Sequence, residues 1–314
     1  MTDSNSFFNA VNAAEHIVLI AHINPDADTL GSASAMYTQM LRLQKKVTFF
    51  CATENIDPRL AFLPWFDKIR HQFPSSADLA ISFDCATKVR LGVEVAIPLI
   101  NIDHNGSNEL YGDLNILNTD AISTTQVVYD LLKKHDVKPN MKMATALYAG
   151  LLDDSWSFQS KRVDESIFTL AVSLAEAGAQ LRECAEQLFK RHSLAALRLK
   201  GLILQDLQLF EGGRVAVMKV SREMMLQSGA HPRDCEAALH ESMGLPTVKI
   251  ALMVRQKKDG SIKGSLRCKN GIDVSRIAEI FGGGGQRSAA GFDMTEIEID
   301  AAVDTVLIQI QKEF

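Results

Sequence analysis

Short apolar runs alternate with longer segments of helical period through the first half of the chain. Residues 17–21, 47–51, 77–83 and 97–102 are nearly unbroken apolar stretches bounded by polar residues, the pattern of strands buried on both faces. Residues 4–15, 29–43, 124–135, 141–152, 164–177 and 180–191 read as helices. In the third of these Val127, Val128, Leu131 and Leu132 share one face, and Gly178 separates the last two. Strands alternating with helices predict an α/β domain with a parallel sheet and crossover helices. Beyond residue 191 the rhythm changes. Residues 192–209 read as a linking helix, 214–220 as a strand, 234–243 as a helix, and 248–255 with 262–268 as a strand pair. Asp259 and Gly260 lie between the paired strands and suit a hairpin turn. Helices at 274–281 and 301–310 close the chain. The organisation predicted is a parallel-sheet domain over 1–190, a linking segment over 191–209 and a smaller mixed α/β domain over 210–314, with an active site in the cleft between the domains.

The polar residues that interrupt this pattern fall at the ends of elements. His22, Asp26 and Asp28 follow the first apolar run and precede a helix, so they occupy a loop at the carboxyl end of a buried strand, where ligands of open α/β sheets gather. Asp28 and Asp26 also suit helix capping and a solvated turn, with His22 packed at a strand end. Asp84 and His104 end two further apolar runs, and Asp154 follows the apolar helix of 141–152. Carboxylates delivered singly to strand ends are costly to desolvate, so convergence on one site is the simplest account. Three His and Asp carriers meeting in this way make an inventory suited to two divalent ions. Its oxygen-rich character favours Mn2+ or Mg2+ over a structural zinc, and Mn2+ is the ion expected, with Mg2+ the alternative. Asp103 is placed to accept from the second imidazole nitrogen or from the loop backbone.

Composition narrows the class. A chain of 314 residues with 46% hydrophobic residues supports two packed domains, and it contains no apolar stretch of membrane-spanning length and no basic leader. The five cysteines are scattered and never spaced as a zinc pair, which fits a reducing compartment, so the cytoplasm is the expected location. The net charge of −5 is uneven. Residues 249–287 carry Lys249, Arg255, Lys257, Lys258, Lys263, Arg267, Lys269, Arg276 and Arg287 against Asp259, Asp273 and Glu279. A basic stretch in a second domain of balanced charge, beside an acidic first domain, suits a phosphate-bearing substrate and divalent ions together.

In order along the chain, His22 to Asp28, Asp84 within Ser82-Phe83-Asp84-Cys85, Asp103-His104-Asn105, and Asp154 after Leu152-Asp153 resemble the four motifs of the DHH phosphoesterases. The stretch 264–292, with Arg267 and the glycines 282–285, resembles the glycine-rich signature of the DHH-associated domain. The nearest branch is the bacterial enzymes that trim very short RNA and dephosphorylate 3',5'-phosphoadenosine, the nanoRNases. The resemblance implies one ion on His22, Asp26 and Asp84 and another on Asp28, Asp84, His104 and Asp154. Asp84 bridges them, and Asp84, Asp103 and His104 form the catalytic set. It further implies substrate contacts from Asn105, Arg267, Gly283, Gly284, Gly285, Gln286 and Arg287, and a water activated between two ions.

Three positions depart from the family pattern. Asn105 and Gln286 stand where the family carries histidines, and neither can hold positive charge. Trp156 stands where small residues are usual; its ring is expected to stack a base, narrow the pocket or pack in the core. These departures leave two alternatives to the nuclease and phosphatase reading. One is a phosphoesterase or pyrophosphatase of altered specificity, and the other is a nucleotide-binding protein with little or no hydrolysis. The partners expected are short RNA or DNA oligonucleotides or phosphorylated nucleotides, and no membrane.

Overall fold

The computed structural model describes residues 2–269 and 271–313. The chain divides into two compact units, Met1–Arg191 and His192–Phe314. The first contains α1 (Thr2–Ala13), β1 (His16–Ala21), α2 (Ala27–Arg42), β2 (Lys46–Cys51), β3 (Ile69–Arg70), β4 (Leu79–Phe83), β5 (Leu99–Asp103), β6 (Leu114–Leu117), α3 (Thr124–Lys133), α4 (Met141–Asp154), α5 (Glu165–Glu176) and α6 (Leu181–Ala185). Its six strands are all parallel, in the order β3-β2-β1-β4-β5-β6. β1, β4 and β5 are buried along their whole length, which explains their largely apolar sequence. Two strands were not legible as apolar runs. β3 is only two residues long, and β6 is half-buried at the edge of the sheet.

Helix α2 starts where Asp26 turns its carboxylate onto the Thr29 N–H, 3.0 Å away, as an N-cap. Its small residues let α4 approach closely. A Cβ on Gly31 would collide with the Ala146 carbonyl oxygen, and one on Gly150 would lie 2.7 Å from the Asp28 carboxylate. The closeness of these two helices therefore makes the room in which Asp28 sits. Helix α4 runs on to Asp154, two residues past its expected end.

The second unit contains α7 (Leu194–Gln205), β7 (Gln208–Phe210), β8 (Val215–Val220), α8 (Arg222–Ser228), α9 (Glu236–Met243), β9 (Ile250–Gln256), β10 (Ile262–Cys268), α10 (Val274–Ile280), β11 (Gly284–Gln286), β12 (Ala289–Met294) and α11 (Ile299–Gln311). Its sheet runs β11-β12-β10-β9-β8-β7, with only the β8–β9 pair parallel. Alternate side chains of one strand go to opposite faces. Val215 and Val217 pack with α10 and α11, whereas Ala216 and Met218 pack with Leu199 and Ile203 of α7 and with α9. The helix read as a linker is thus part of this unit's core. The β9–β10 connection is the expected hairpin, closed by Lys257 N–H donating to the Ser261 carbonyl at 2.7 Å, with Gly260 at φ +85°. No helix among the described residues is long and apolar enough to cross a membrane.

Candidate metal centre

The strand order of the first sheet reverses between β1 and β4, the kind of point at whose carboxyl edge open α/β sheets hold their ligands. Ala21 lies opposite Phe83, and Phe83 opposite Ile102. His22, Asp84 and, slightly later, His104 therefore leave the sheet side by side. Asp26 and Asp28 arrive from the start of α2 and Asp154 from the end of α4. Asp84 itself has a left-handed backbone, φ +56°, a conformation that aspartate tolerates better than most residues and that turns the chain sharply at this point.

These six side chains converge. His22 Nε2 lies 3.2 Å from Asp84 Oδ2 and 3.4 Å from Asp26 Oδ2. His104 Nε2 lies 3.5 Å from Asp84 Oδ1 and 3.2 Å from Asp154 Oδ2. Among the described residues two donor groups meet the spacing of a metal site, His22 with Asp26 and Asp84, and Asp28 with Asp84 and His104. Within each group the donor atoms lie within 4.8 Å of one another. Asp84 belongs to both, presenting one oxygen to each imidazole.

A second layer of contacts holds the donors in place. His22 Nδ1 is 2.9 Å from the Ile23 carbonyl and His104 Nδ1 is 3.2 Å from that of Ala121, which leaves each Nε2 facing the carboxylates. Asp28 is fully buried, and its two oxygens accept from the Thr124 and Thr125 N–H groups at 2.7 and 2.8 Å, at the start of α3. Asp84 Oδ1 accepts from Thr124 Oγ1 and from Asn105 Nδ2. Asp103 is also fully buried but touches neither imidazole. One of its oxygens accepts from the His104 and Asn105 N–H groups and from Asn105 Nδ2, and the other from Asn108 Nδ2. Of the two roles expected for Asp103, the structure displays the backbone one.

So many carboxylates at one point bind protons when no cation is there to share. Burial, followed by the Asp26 and Asp154 charges, pushes Asp153 up to about 7. Burial also raises Asp154 to about 6, against the hydrogen bond from His104. Asp28 and Asp84 are raised in the same direction, chiefly by burial. Burial opposes the charged imidazoles, yet the surrounding carboxylates outweigh it and lift His22 and His104 to about 10. Asp26, half-exposed and beside His22, is held down to about 2. An oxygen-rich donor set with surplus negative charge and two imidazole lone pairs fits hard or borderline divalent ions.

Residues 16–151 match the DHH family N-terminal domain and residues 212–312 match the DHHA1 domain. The chain belongs to the DHH phosphoesterases. It is 27% identical over 302 residues to the bifunctional oligoribonuclease and PAP phosphatase NrnA of Thermus thermophilus, covering 95% of this chain and 90% of that protein. It is 26% identical over 287 residues to the protein of the same name from Bacillus subtilis, covering 90% of each. A crystal structure of an exopolyphosphatase-related protein from Bacteroides fragilis shares the fold at a TM-score of 0.90 and 20% identity, covering 98% of this chain and 95% of that one.

Within the DHHA1 domain the remaining candidates lie near β10 and β11. Arg267 lies next to the end of β10, where its guanidinium donates to Glu236 Oε2 at 2.7 Å and to its neighbour's carbonyl, Leu266 O, at 2.9 Å. Part of the fork expected to bind phosphate is thus engaged by a carboxylate. Gly284–Gln286 is itself a short exposed strand paired with β12 and not a free turn. Gly283 has no room for a side chain, since a Cβ would collide with the Gly291 carbonyl and Phe292, and Gly285 has φ +150°. Gly284 has open space around it. Arg287 is exposed, with Nε 3.4 Å from Asp273.

Three residues at the centre had no role assigned from the sequence. Asp153 accepts from the Ala27 N–H at 3.2 Å, tying α4 to the first loop; the Asp153–Asp154 pair in the sequence was the available signal. Thr124 donates to Asp84 from a Ser-Thr-Thr start of α3. Arg90, whose Nη2 lies 2.9 Å from His22 Nε2, comes from an aperiodic segment that carries no signal at all. Trp156, at φ +55°, begins a left-handed turn through Ser157 and Phe158, and 54% of its surface is exposed, so core packing does not account for it.

Proposed function

We propose that this chain hydrolyses phosphoester bonds in short oligoribonucleotides and removes the 3'-phosphate of 3',5'-phosphoadenosine. Two divalent ions, Mn2+ in preference to Mg2+, serve this activity. One observation carries the proposal: the single Asp84 carboxylate belongs to both donor groups and lies at the reversal point of the sheet. The likeness to two proteins named as oligoribonucleases and PAP phosphatases supports the substrate class. His22, Asp26 and Asp84 would hold one ion, and Asp28, Asp84, His104 and Asp154 the other. Bound there, such ions supply a water acidic enough to attack at neutral pH and offset charge on the phosphate.

The protein's own part is preorganisation. Asn105 and Thr124 orient Asp84, and the α3 backbone orients Asp28. Asp103 shapes the loop that presents His104. In the DHHA1 domain Arg267, Gly283 to Gly285, Gln286 and Arg287 are the proposed substrate contacts. The test is an assay of metal-stripped protein across added Mn2+ and Mg2+ with a dinucleotide, 3',5'-phosphoadenosine and pyrophosphate. We expect metal-dependent release from the first two. No hydrolysis of either with any added ion overturns the reading.

A second reading, retuned specificity, is favoured by the Asn105 amide, which donates to both Asp84 and Asp103 and so acts inside the metal centre. Asn105→His should raise the rate on the dinucleotide if asparagine only weakens an inherited activity. An unchanged or lower rate supports the second reading.

A further inference from the structure

Asp84 leaves β4 with φ +56°, a conformation that a residue with a side chain keeps only where its surroundings over-determine it. Two anchors bracket it. On one side its own N–H donates to the Ile102 carbonyl of β5 at 3.0 Å. On the other, the carbonyl of the next residue, the fully buried Cys85, accepts from three side chains: Asn101 Nδ2 at 2.9 Å, Tyr111 Oη at 3.0 Å and Asn108 Nδ2 at 3.4 Å. One hydrogen bond would satisfy a buried carbonyl, and its oxygen has two lone pairs, so three donors saturate it. The surplus holds this peptide in one orientation.

The donors belong to the segment that carries His104. Asn101 is a buried residue of β5, and its Oδ1 accepts from Asn108 Nδ2 at 3.3 Å. Asn108 Nδ2 donates to Asp103 Oδ2 as well, and the Glu109 N–H donates to the Ala86 carbonyl at 2.9 Å. Tyr111 Oη lies 3.2 Å from Ser82 Oγ of β4. The loop after His104 is thereby laced to the loop after Asp84. None of these contacts involves a side-chain atom of either donor group.

We propose that Asn101 and Tyr111 are positioning residues of the metal centre: by fixing the Cys85 carbonyl they hold Asp84 in its left-handed conformation, and so aim the one carboxylate that serves both donor groups. This rests on the two-ion reading above. Asn105 and Thr124 meet the tip of that carboxylate, whereas Asn101 and Tyr111 act on its root. Loss of the root contact lets the backbone relax, and a carboxylate shared by two ions then fails both together. A network that only stabilised the fold would lower Tm and leave ion binding alone.

The experiment compares the full-length wild type with Tyr111→Phe, Asn101→Ala and Ser82→Ala. Tyr111→Phe deletes one hydroxyl and keeps the ring, while Ser82→Ala removes a neighbour of that hydroxyl and leaves the Cys85 carbonyl its donors. Mn2+ binding is measured by titration calorimetry, Tm by scanning calorimetry, and kcat and KM with a dinucleotide in saturating Mn2+. For Tyr111→Phe we expect kcat to fall about tenfold and Mn2+ to bind about tenfold more weakly at both sites, with KM within about twofold of the wild type. Asn101→Ala should lower kcat about a hundredfold, and Ser82→Ala should match the wild type in kcat and Mn2+ affinity. Tyr111→Phe decides the case alone if Asn101→Ala does not fold. A Tyr111→Phe protein with lowered Tm but wild-type kcat and Mn2+ affinity overturns the positioning role, as does weakening at one site only or an equal loss in Ser82→Ala. A wild type that neither takes up Mn2+ nor turns over the dinucleotide overturns the two-ion reading itself, and this inference with it.

Discussion

The candidate metal centre of the first unit and the glycine-rich stretch of the second were both conspicuous in the sequence, but they are built differently. At the metal centre every candidate side chain is held by at least one neighbour. Asp28 is clamped by two backbone N–H groups, Asp84 by Asn105 and Thr124, and His104 by the Ala121 carbonyl. In the second unit Gly284–Gln286 lies exposed on an edge strand, Arg287 is 75% exposed, and Arg267 is paired with Glu236. The first region is braced by hydrogen bonds from its own neighbours. The second offers donors whose final arrangement a substrate would select, at a cost in ordering. Preorganised donors bind small hard ions well, and adaptable ones suit substrates that vary in length.

The sharpest way to break this contrast is at the shared ligand. Asp84→Asn should lower kcat by about a thousandfold or more, because one substitution removes charge from both donor groups. Substantial residual turnover in a steady-state assay would contradict the shared role.

Next in size is the response of the ion-free protein to pH. Asp153 and Asp154, and both imidazoles, bind protons more tightly in the folded chain than in the unfolded one. Stability from such groups is fully present below their ordinary pKa values and is lost as pH rises. For the aspartates the loss runs from the usual carboxylate range of about 4 through about 6 and 7, and for the histidines from about 6.5 toward about 10. In EDTA, Tm should therefore fall between about pH 5 and pH 9. Excess Mn2+ should flatten or reverse the slope, since ions displace these protons. A flat profile in EDTA, followed by scanning calorimetry, would show that the cluster does not titrate with folding.

Two neighbouring glycines sharpen the view of the second unit. Gly283→Ala should cost roughly 1–3 kcal/mol in urea unfolding, because its Cβ meets Gly291 and Phe292, whereas Gly284→Ala should leave stability unchanged. A raised KM in Gly284→Ala with unaltered unfolding identifies a substrate contact; equal KM values argue that this strand is scaffold. The smallest effect is expected at Trp156. Trp156→Gly relieves a left-handed backbone worth on the order of 1 kcal/mol and removes an exposed ring. Tm should rise slightly, and the ratio of rates on dinucleotides and longer oligomers should change if the ring borders the substrate.

Much of this was legible in the sequence because burial leaves a strong mark. β1, β4 and β5 are mostly apolar because both faces are covered, and His22, Asp84 and His104 stand out as polar residues that follow them. β3 and β6 left no such mark, being short or half-buried at the edge. Arg90 was invisible for a related reason: a 3-10 turn has no repeating face to register as a period. Asp153 was visible as a residue but not as a tether, since neighbours in sequence point to different places once a helix ends.

The order of the apolar runs, and the chemistry of the residues that close them, determined by themselves an α/β chain with a set of candidate cation ligands. Only the tertiary structure decided that those ligands form one cluster, because their distances depend on which strands lie side by side. It also decided which carboxylate is shared between the two donor groups. Hydrogen bonds and charges act over a few ångströms in space, and the residues concerned are separated along the chain by tens of positions.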